Sequence, residues 1–235
     1  MAQGFRFLSL NFSHNGIGAD PLNFTEGDKF RENTFSLEVE EAREVVAAFR
    51  AGALCNMASE AKIGVLGHSR GGGIALLSMY DRSEVSAICT WAAVSTFFRY
   101  PEETIQLWEQ QGYLDIKNSR TGQVMQLGWN LHADLVAKGQ PGGPLNVQSA
   151  TQNLQKPLCV IHGDEDPAVV VKDAHDIASW AQGAHCEKHI IAGAGHTFGA
   201  RHPFTGSNPQ AFRFACGRWL GANIDDGSTE RYMVG

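Results

Sequence analysis

The stretch KIGVLGHSRGGGIALL, from Lys62 to Leu77, places an apolar run, the pentapeptide Gly-His-Ser-Arg-Gly and an Ala/Leu-rich run in direct succession. This order predicts a strand, a sharp turn and a helix, the context in which the serine of a G-x-S-x-G motif is a nucleophile. Gly67 and Gly71 would avoid the clashes that side chains make across such a turn. We therefore expect the hydroxyl of Ser69 at the carboxyl end of the strand, above the amino end of the helix.

The same pentapeptide fits two other interpretations. A Gly-rich loop between a strand and a helix can serve tight packing alone, and a related loop binds phosphate groups. The strand and the helix that are predicted on either side favour a nucleophilic serine over both alternatives.

The length and composition of the chain limit its class. Its 235 residues suffice for one α/β domain, and a hydrophobic content of 43% is ordinary for a globular domain. A formal net charge of −6 argues against nucleic acid or an anionic membrane as a partner, and simple solubility explains it. No apolar run is long enough to span a bilayer, and Met1–Arg6 lacks the basic and apolar regions of a signal peptide.

The cysteines indicate a reducing compartment. Their number is odd, they are widely spaced, and no two form a Cys-x-x-Cys pair, so free thiols fit better than a disulfide framework or a zinc site. We therefore predict a cytoplasmic protein. The five are Cys55, Cys89, Cys159, Cys186 and Cys216.

Strands and helices alternate along the chain. Helical patterns occupy about 36–50, 70–80, 174–181 and 208–220. The alternation predicts a mostly parallel α/β sheet with helices on both faces, whose reactive groups gather at the carboxyl ends of the strands. Besides the strand before Ser69, the predicted strands are Phe5–Phe12, Val85–Val94, Pro157–Ile161 and Cys186–Ile191.

Two segments depart from this alternation. Residues 95–155 contain Trp108, Trp129, several charges and a Gly/Pro-rich patch, which predict a small, mostly helical cap inserted into the domain. Residues 221–235 are expected to form a flexible tail. A single domain is then expected to span residues 1–220.

Three polar motifs follow three of the predicted strands, in the order Ser, Asp, His. They are GHSRGG around Ser69, IHGDEDPAVV around Asp166 and GAGHTF around His196. This order and spacing resemble the α/β-hydrolase superfamily and differ from the order in chymotrypsin or subtilisin. The resemblance covers about Phe5 to Leu220 and is greatest to the dienelactone-hydrolase-like and serine-aminopeptidase-like esterase groups.

The resemblance implies a serine hydrolase with the α/β-hydrolase fold. Ser69 would attack a carbonyl carbon, His196 would take and return the proton, and Asp166 would orient the imidazole. The His-Gly-x-x-Asp pattern of the superfamily assigns the acid to Asp166, with Asp164 and Glu165 as neighbouring alternatives.

The expected substrate is a small carboxylic ester, or else a lactone, a thioester or a short peptide, and the resemblance implies no cofactor or metal. The backbone N–H of Arg70 would donate to the oxyanion. Candidates for the substrate pocket are His14, Trp108 and Trp129, although ordinary packing within the cap explains the two tryptophans equally well. Transfer of the acyl group to an acceptor other than water is an alternative function on the same residues.

Other polar residues near the motifs have simpler explanations. His162, Asp164 and Asp166 offer three metal ligands, but no second cluster completes a site and the expected triad already uses Asp166. His68 is interpreted as a packing residue. The side chain of Arg70 is interpreted as one half of a salt bridge rather than as a contact for an acidic substrate.

The chain differs from the superfamily pattern before Ser69, because it lacks the usual first strands. In the family those strands precede the equivalent of Phe5–Phe12, together with a loop that supplies a second oxyanion N–H. We expect either a gap in the sheet or a first strand that shifts beside the strand before Ser69. In the second case Ser13–Gly18 would replace the missing loop, although this loop is more simply interpreted as a border of the pocket. Loss of one donor costs about 10²–10³ in rate, so a catalytically impaired binding protein with an exposed sheet edge is a further alternative.

Overall fold

A parallel sheet carries the fold. The computed structural model describes residues 5–20, 22–54, 61–118, 121–200, 219 and 231–234. Within these ranges every neighbouring pair of strands in the main sheet runs parallel, which confirms the predicted α/β architecture. In spatial order the strands are β1 (Phe5–Leu8), β8 (Arg231–Val234), β2 (Lys62–His68), β3 (Val85–Trp91), β6 (Leu158–Gly163) and β7 (Cys186–Ile191).

Helices cover the sheet. The helices within the described ranges are α1 (Gly27–Glu32), α2 (Phe35–Arg50), α3 (Arg70–Met79), α4 (Glu102–Gln111), α5 (Trp129–Lys138), α6 (Val147–Gln152) and α7 (Lys172–Trp180). α2, α3, α6 and α7 pack on one face, where Val46 and Ile74 belong to the larger apolar core. On the other face Ile161 packs with the helical, buried Trp219 in a second core. No helix in the described part of the chain is both long and apolar enough to cross a membrane.

The strand between β1 and β2 comes from the far end of the sequence. Val234 of β8 pairs with Leu8 on one side and with Val65 on the other. The expectation of a flexible tail over 221–235 is therefore wrong for Arg231–Val234. The other residues of that segment lie outside the described ranges. β8 lies between β1 and β2. The sheet therefore has no gap at this place, and β1 does not pair directly with β2, so both expectations for the first strand are wrong.

Part of the segment expected to be a helical cap is a β-hairpin. α4 ends before Gly112, whose φ of 76° is left-handed, and the chain turns directly into β4 (Tyr113–Lys117). β4 pairs antiparallel with β5 (Val124–Gly128), so the prediction of a mostly helical cap missed two strands. Trp108 is buried and its indole N–H donates to the carbonyl of Leu127 at 2.9 Å, which ties the hairpin to α4.

Several predicted boundaries differ from those of the structure. The first strand ends at Leu8 rather than at Phe12. α6 falls within the expected cap but packs against α3 and α7, in the same layer as the other helices of the sheet. The predicted helix over 208–220 lies outside the described residues except for Trp219. The extent of the single domain, and of the insertion over 95–155, stays a prediction.

Candidate active site

The backbone of Ser69 adopts a strained conformation between β2 and α3. Its φ of 56° and ψ of −123° are rare for a residue with a side chain. The neighbouring strand holds this turn: Ser69 N–H donates to the Trp91 carbonyl at 2.8 Å, and Val94 N–H donates to the Ser69 carbonyl at 3.2 Å. Hydrogen bonds with the last residue of β3 and with the loop that follows it therefore maintain the turn that presents the serine at the carboxyl edge of the sheet.

The turn requires glycine at positions 67 and 72 but not at position 71, where the sequence pattern predicted it. A Cβ on Gly67 would overlap the carbonyl oxygen of Gly71 and lie 2.7 Å from the Cα of Gly72. At Gly71 a Cβ would meet open space, so the clash expected there is wrong. The second close approach is at Gly72, where a Cβ would lie 3.1 Å from the Cα of Ala93.

The three residues from the separate motifs form one hydrogen-bonded chain. Nε2 of His196 lies 3.0 Å from Oγ of Ser69, and Nδ1 of His196 lies 2.8 Å from Oδ2 of Asp166. Because an ionised carboxylate only accepts, Nδ1–H donates to Asp166 and Nε2 is left to accept the serine proton. The imidazole is thus in the tautomer that a general base next to Ser69 needs.

The structure separates Asp166 from its two sequence alternatives. Asp166 is buried against the imidazole of His196, whereas Glu165 is exposed. Oδ1 of Asp164 accepts the backbone N–H of Gly193 at 2.7 Å and so fastens the loop that carries the histidine. Asp164 therefore supports the site from outside the hydrogen-bonded chain.

Asp166 is held in its ionised form. Burial alone would raise the pKa of this carboxyl, but hydrogen bonds from Val169 N–H, His196 and Ala168 N–H outweigh it, and the pKa lies below its ordinary value. The two backbone N–H groups reach Oδ1 at 2.8 Å from Ala168 and 3.0 Å from Val169. With one oxygen fixed by the backbone, the other is aimed at the imidazole.

His162 is a buried neighbour of this carboxylate. Its Nε2 lies 2.8 Å from the Val169 carbonyl oxygen and 3.4 Å from Oδ2 of Asp166. The carbonyl can only accept, so Nε2 carries a proton. His162 and Asp164 therefore make different contacts rather than facing one ion, and no group of three His, Cys, Asp or Glu side chains among the described residues is arranged to hold a metal.

The side chain of Arg70 forms a salt bridge, as the sequence interpretation expected. Its Nε and Nη2 donate to Oε2 and Oε1 of Glu38 at 3.0 and 2.6 Å, and its guanidinium lies 4.6 Å from the ring centre of Phe35. Asn33 donates a further hydrogen bond to Glu38 at 2.7 Å. Arg70 is the first residue of α3, where backbone N–H groups have no acceptor within the helix, so its N–H is available beside Ser69.

The two candidate tryptophans belong to an aromatic cluster in the cap. Trp108 is 1% exposed, and its ring centre lies 5.1 Å from that of Tyr100, 6.0 Å from Trp129 and 5.6 Å from His132. Burial lowers the pKa of His132 despite the opposing charges of nearby glutamates, so this imidazole is neutral. These contacts favour packing over substrate binding for Trp108.

The third candidate, His14, makes its contact elsewhere. Its Nδ1 lies 2.5 Å from Oγ of Ser13, which also donates to Glu41 of α2. None of the hydrogen bonds that join Ser69, His196 and Asp166 involves this loop. A role for His14 in the substrate pocket therefore stays a prediction.

An apolar cavity that sequence reasoning missed lies beside the turn at Ser69 between β2 and α3, here called the elbow. Its volume is about 230 Å³, and it lies between α2, α3 and the sheet. Periodicity could assign its lining residues to buried faces but could not show that the space between them is unfilled. They include Leu10, Phe12, Val46, Val65, His68 and Ile74.

The family of the chain follows from a match over most of its length. Residues 25–208 match the prolyl oligopeptidase family, which is more than half of the chain. The chain belongs to the prolyl oligopeptidase family. In this prolyl oligopeptidase family member the matched range includes Ser69, Asp166 and His196. A comparison with curated proteins finds no match.

Solved structures share the fold of this prolyl oligopeptidase family member at low sequence identity. Est1E from Butyrivibrio proteoclasticus, with ferulic acid bound, is 16% identical with a TM-score of 0.59, over 83% of this chain and 71% of that chain. A monoacylglycerol lipase from Paleococcus ferrophilus is 13% identical with a TM-score of 0.57, over 79% and 76%. A puromycin-hydrolyzing peptidase from Mycobacterium tuberculosis is 14% identical with a TM-score of 0.52, over 83% and 27%. The likenesses show the α/β-hydrolase fold, and together with the family they support a serine hydrolase of that type.

Proposed function

We propose that the protein hydrolyses small carboxylic esters through an acyl-enzyme on Ser69. The observation that carries the proposal is the hydrogen-bonded chain from Ser69 through His196 to Asp166. A serine hydroxyl is a weak nucleophile until a base removes its proton, and this chain supplies the base at 3.0 Å. Asp166 accepts the Nδ1–H of His196 and so holds this base in the required tautomer.

In the first half of the reaction Oγ of Ser69 attacks the carbonyl carbon and its proton passes to Nε2 of His196. Ionised Asp166, hydrogen-bonded to Nδ1, stabilises the resulting imidazolium. The carbonyl oxygen becomes an oxyanion, to which the backbone N–H of Arg70 at the start of α3 donates. His196 then gives its proton to the departing alcohol as the carbon–oxygen bond breaks, which leaves an ester on Ser69.

In the second half, water attacks the acyl carbon of that ester. His196 takes the proton of the water and returns it to Oγ of Ser69 as the acid departs. We assign one oxyanion donor, the backbone N–H of Arg70. Because removing a single donor costs about 10²–10³ in kcat in enzymes that use two, we expect slow turnover unless a second donor completes the site.

The charges around the elbow favour a neutral substrate. The one cation next to Ser69 in the chain, Arg70, is already paired with Glu38. The apolar cavity next to the elbow includes His68 and Gly71, on either side of Ser69, in its lining. An uncharged ester therefore fits better than an acidic one. The monoacylglycerol lipase among the structural neighbours agrees with an ester substrate.

Short-peptide amides are a second candidate substrate class. The family match and the puromycin-hydrolyzing neighbour both favour amide cleavage. The same chain of residues serves either bond, since both reactions pass through an acyl-enzyme on Ser69.

A reactivity test separates these proposals. The protein is treated with a fluorophosphonate and weighed intact, beside Ser69→Ala, and is then assayed on uncharged p-nitrophenyl esters, thioesters, lactones and aminoacyl amides. We expect a single adduct that Ser69→Ala abolishes, with esters turned over faster than amides. A folded protein that forms no adduct would refute the hydrolase and favour the binding-protein alternative. Products that form only with added alcohols or amines would indicate acyl transfer.

A cytoplasmic location remains a prediction. It is supported by the free thiols of Cys89, Cys159 and Cys186.

A further inference from the structure

His68 makes a direct contact with the residue proposed as the base. Its Nε2 lies 2.9 Å from the backbone carbonyl oxygen of His196, and the two imidazole centres are 4.7 Å apart. A carbonyl oxygen only accepts, so Nε2–H of His68 is the donor. The residue before the nucleophile is therefore bonded to the residue that would take the nucleophile's proton, contrary to its interpretation as a simple packing residue.

The imidazole of His68 is neutral in this position. By area the residue is exposed, yet the protein on its remaining sides is close enough that desolvation lowers its pKa. The bond to the His196 carbonyl opposes this shift, while a positive charge on His196 would add to it. A neutral ring can keep its donor while His196 becomes an imidazolium, without bringing a second positive charge into the site.

The loop that carries His196 has fixed points on both sides of the site. On one side Asp164 accepts the N–H of Gly193, and Glu165 N–H donates to the Ala194 carbonyl at 3.1 Å. Those bonds tie the loop to the end of β6, which also supplies the carboxylate. His68 lies at the end of β2 and ties the loop to the elbow, where the serine stands.

We infer that His68 is a positioning residue, which holds the backbone of His196 so that Nε2 of His196 stays within reach of Ser69. The inference rests on the proposed function, because it assigns a role in a reaction at Ser69. It goes beyond that function, since neither the motif nor the triad requires a donor at this position. The physical reason is that misplacing a reacting group by about 1 Å can cost on the order of 10² in rate.

Two substitutions separate the donor from the ring. His68→Gln keeps an N–H donor at about the reach of Nε2, and His68→Phe keeps a ring but loses the donor. The phenyl ring has space because an apolar cavity adjoins position 68. His185→Phe is the matched control, since His185 is exposed and its side chain contacts Glu187 at 3.3 Å. Each variant is first compared with the wild type in urea unfolding.

The measurements are kcat and KM on a p-nitrophenyl ester, the rate of fluorophosphonate labelling, and the downfield proton resonance of the His196–Asp166 hydrogen bond. We expect His68→Phe to lower kcat and the labelling rate about 10- to 100-fold with KM unchanged, and to broaden the proton resonance. His68→Gln should restore all three to near wild-type values, and His185→Phe should leave them unaltered.

The outcomes distinguish this inference from the proposed function. If the wild-type protein does not react with the fluorophosphonate, both fall. If it reacts and His68→Phe reacts equally fast, only the role of His68 falls. If His68→Phe and His68→Gln are equally slow, the donor is not the cause and the inference is likewise overturned. Should His68→Phe fail to fold, a His68→Gln variant that loses activity would refute it.

Discussion

The carboxylate of Glu38 binds the guanidinium of Arg70 at both of its oxygens, with distances of 3.0 and 2.6 Å. Glu38 lies in the first turns of α2, while Arg70 opens α3 directly after the serine. Glu38 is 5% exposed, and the side-chain amide of Asn33 donates a further hydrogen bond to the same carboxylate. The ion pair therefore links a buried anion to the residue whose backbone N–H would meet the oxyanion.

Glu38→Ala should destabilise the protein and slow labelling of Ser69. The side chain of Arg70 is 36% exposed and can be rehydrated, so we expect a loss of about 1–3 kcal/mol, less than for a fully buried pair. Urea unfolding measures that loss, and fluorophosphonate labelling measures the reactivity. Glu40→Ala, on the exposed face of the same helix, should change neither. Equal effects from both variants would show that the ion pair has no special role.

Asp166→Asn should nearly abolish activity while Asp164→Asn should not. An asparagine at 166 cannot hold His196 in the required tautomer or stabilise its charge, and the same change costs about 10⁴ in kcat in a well-studied triad. Asparagine at 164 still offers an oxygen to the N–H of Gly193. Initial rates on an ester measure both effects. The assignment of the acid is wrong if the variant at 164 is the more impaired.

Gly67→Ala should destabilise the protein, whereas Gly71→Ala should not. The methyl group at 67 overlaps backbone that cannot move without opening the turn, so we expect a loss of about 3 kcal/mol or more. At 71 the methyl group enters open space within α3, and the free energy of unfolding should be unchanged or rise by up to about 1 kcal/mol. Urea denaturation compares the two. Comparable destabilisation at both positions would contradict the geometry of the turn.

Asp134→Asn should reduce the dependence of stability on pH in acid. Burial opposes ionisation of Asp134, but hydrogen bonds from Lys138 and Ser36 outweigh it and place the pKa below the ordinary value of 3.8. The folded protein thus binds fewer protons here than the unfolded chain, so the stabilisation is complete above 3.8 and is lost as the pH falls through the lower folded-state pKa.

The free energy of unfolding, measured from neutral pH down to about pH 3, should therefore fall less steeply in Asp134→Asn than in the wild type. Asp115→Asn, at an exposed position of the hairpin, serves as the control and should follow the wild-type curve. A wild-type slope in Asp134→Asn would remove this carboxylate from the acid response.

Local motifs predicted which residues the fold brings together, because the position of each one depends on neighbouring residues in the sequence. The strand-turn-helix around Ser69 and the positions of Asp166 and His196 after their strands follow from apolar runs and the glycines beside them. The parallel sheet then brings the three motifs together, since the carboxyl ends of its strands share one edge.

Features set by distant partners were missed. Arg231–Val234 show no alternation strong enough to predict a strand, and they form one because two strands flank them in the sheet. The hairpin over 113–128 was hidden between two helices, and the requirement for glycine at 72 depends on Ala93, which the motif does not include. His68 gains its partner only when the loop of His196 folds back, so no local pattern could assign its role.

The position of β8 fixes the order in which the sheet can be completed during synthesis on the ribosome. Phe7 pairs with Met233, so β1 is synthesised long before β8, the strand that it pairs with among the described residues. Until β8 is made, β2 presents an open edge to other chains, a recognised route to misassembly of nascent proteins. The pairing of β1 with β8 also closes a loop that contains all the strands and helices between them. Closing so long a loop slows folding, because the chain must lose entropy before the contacts form.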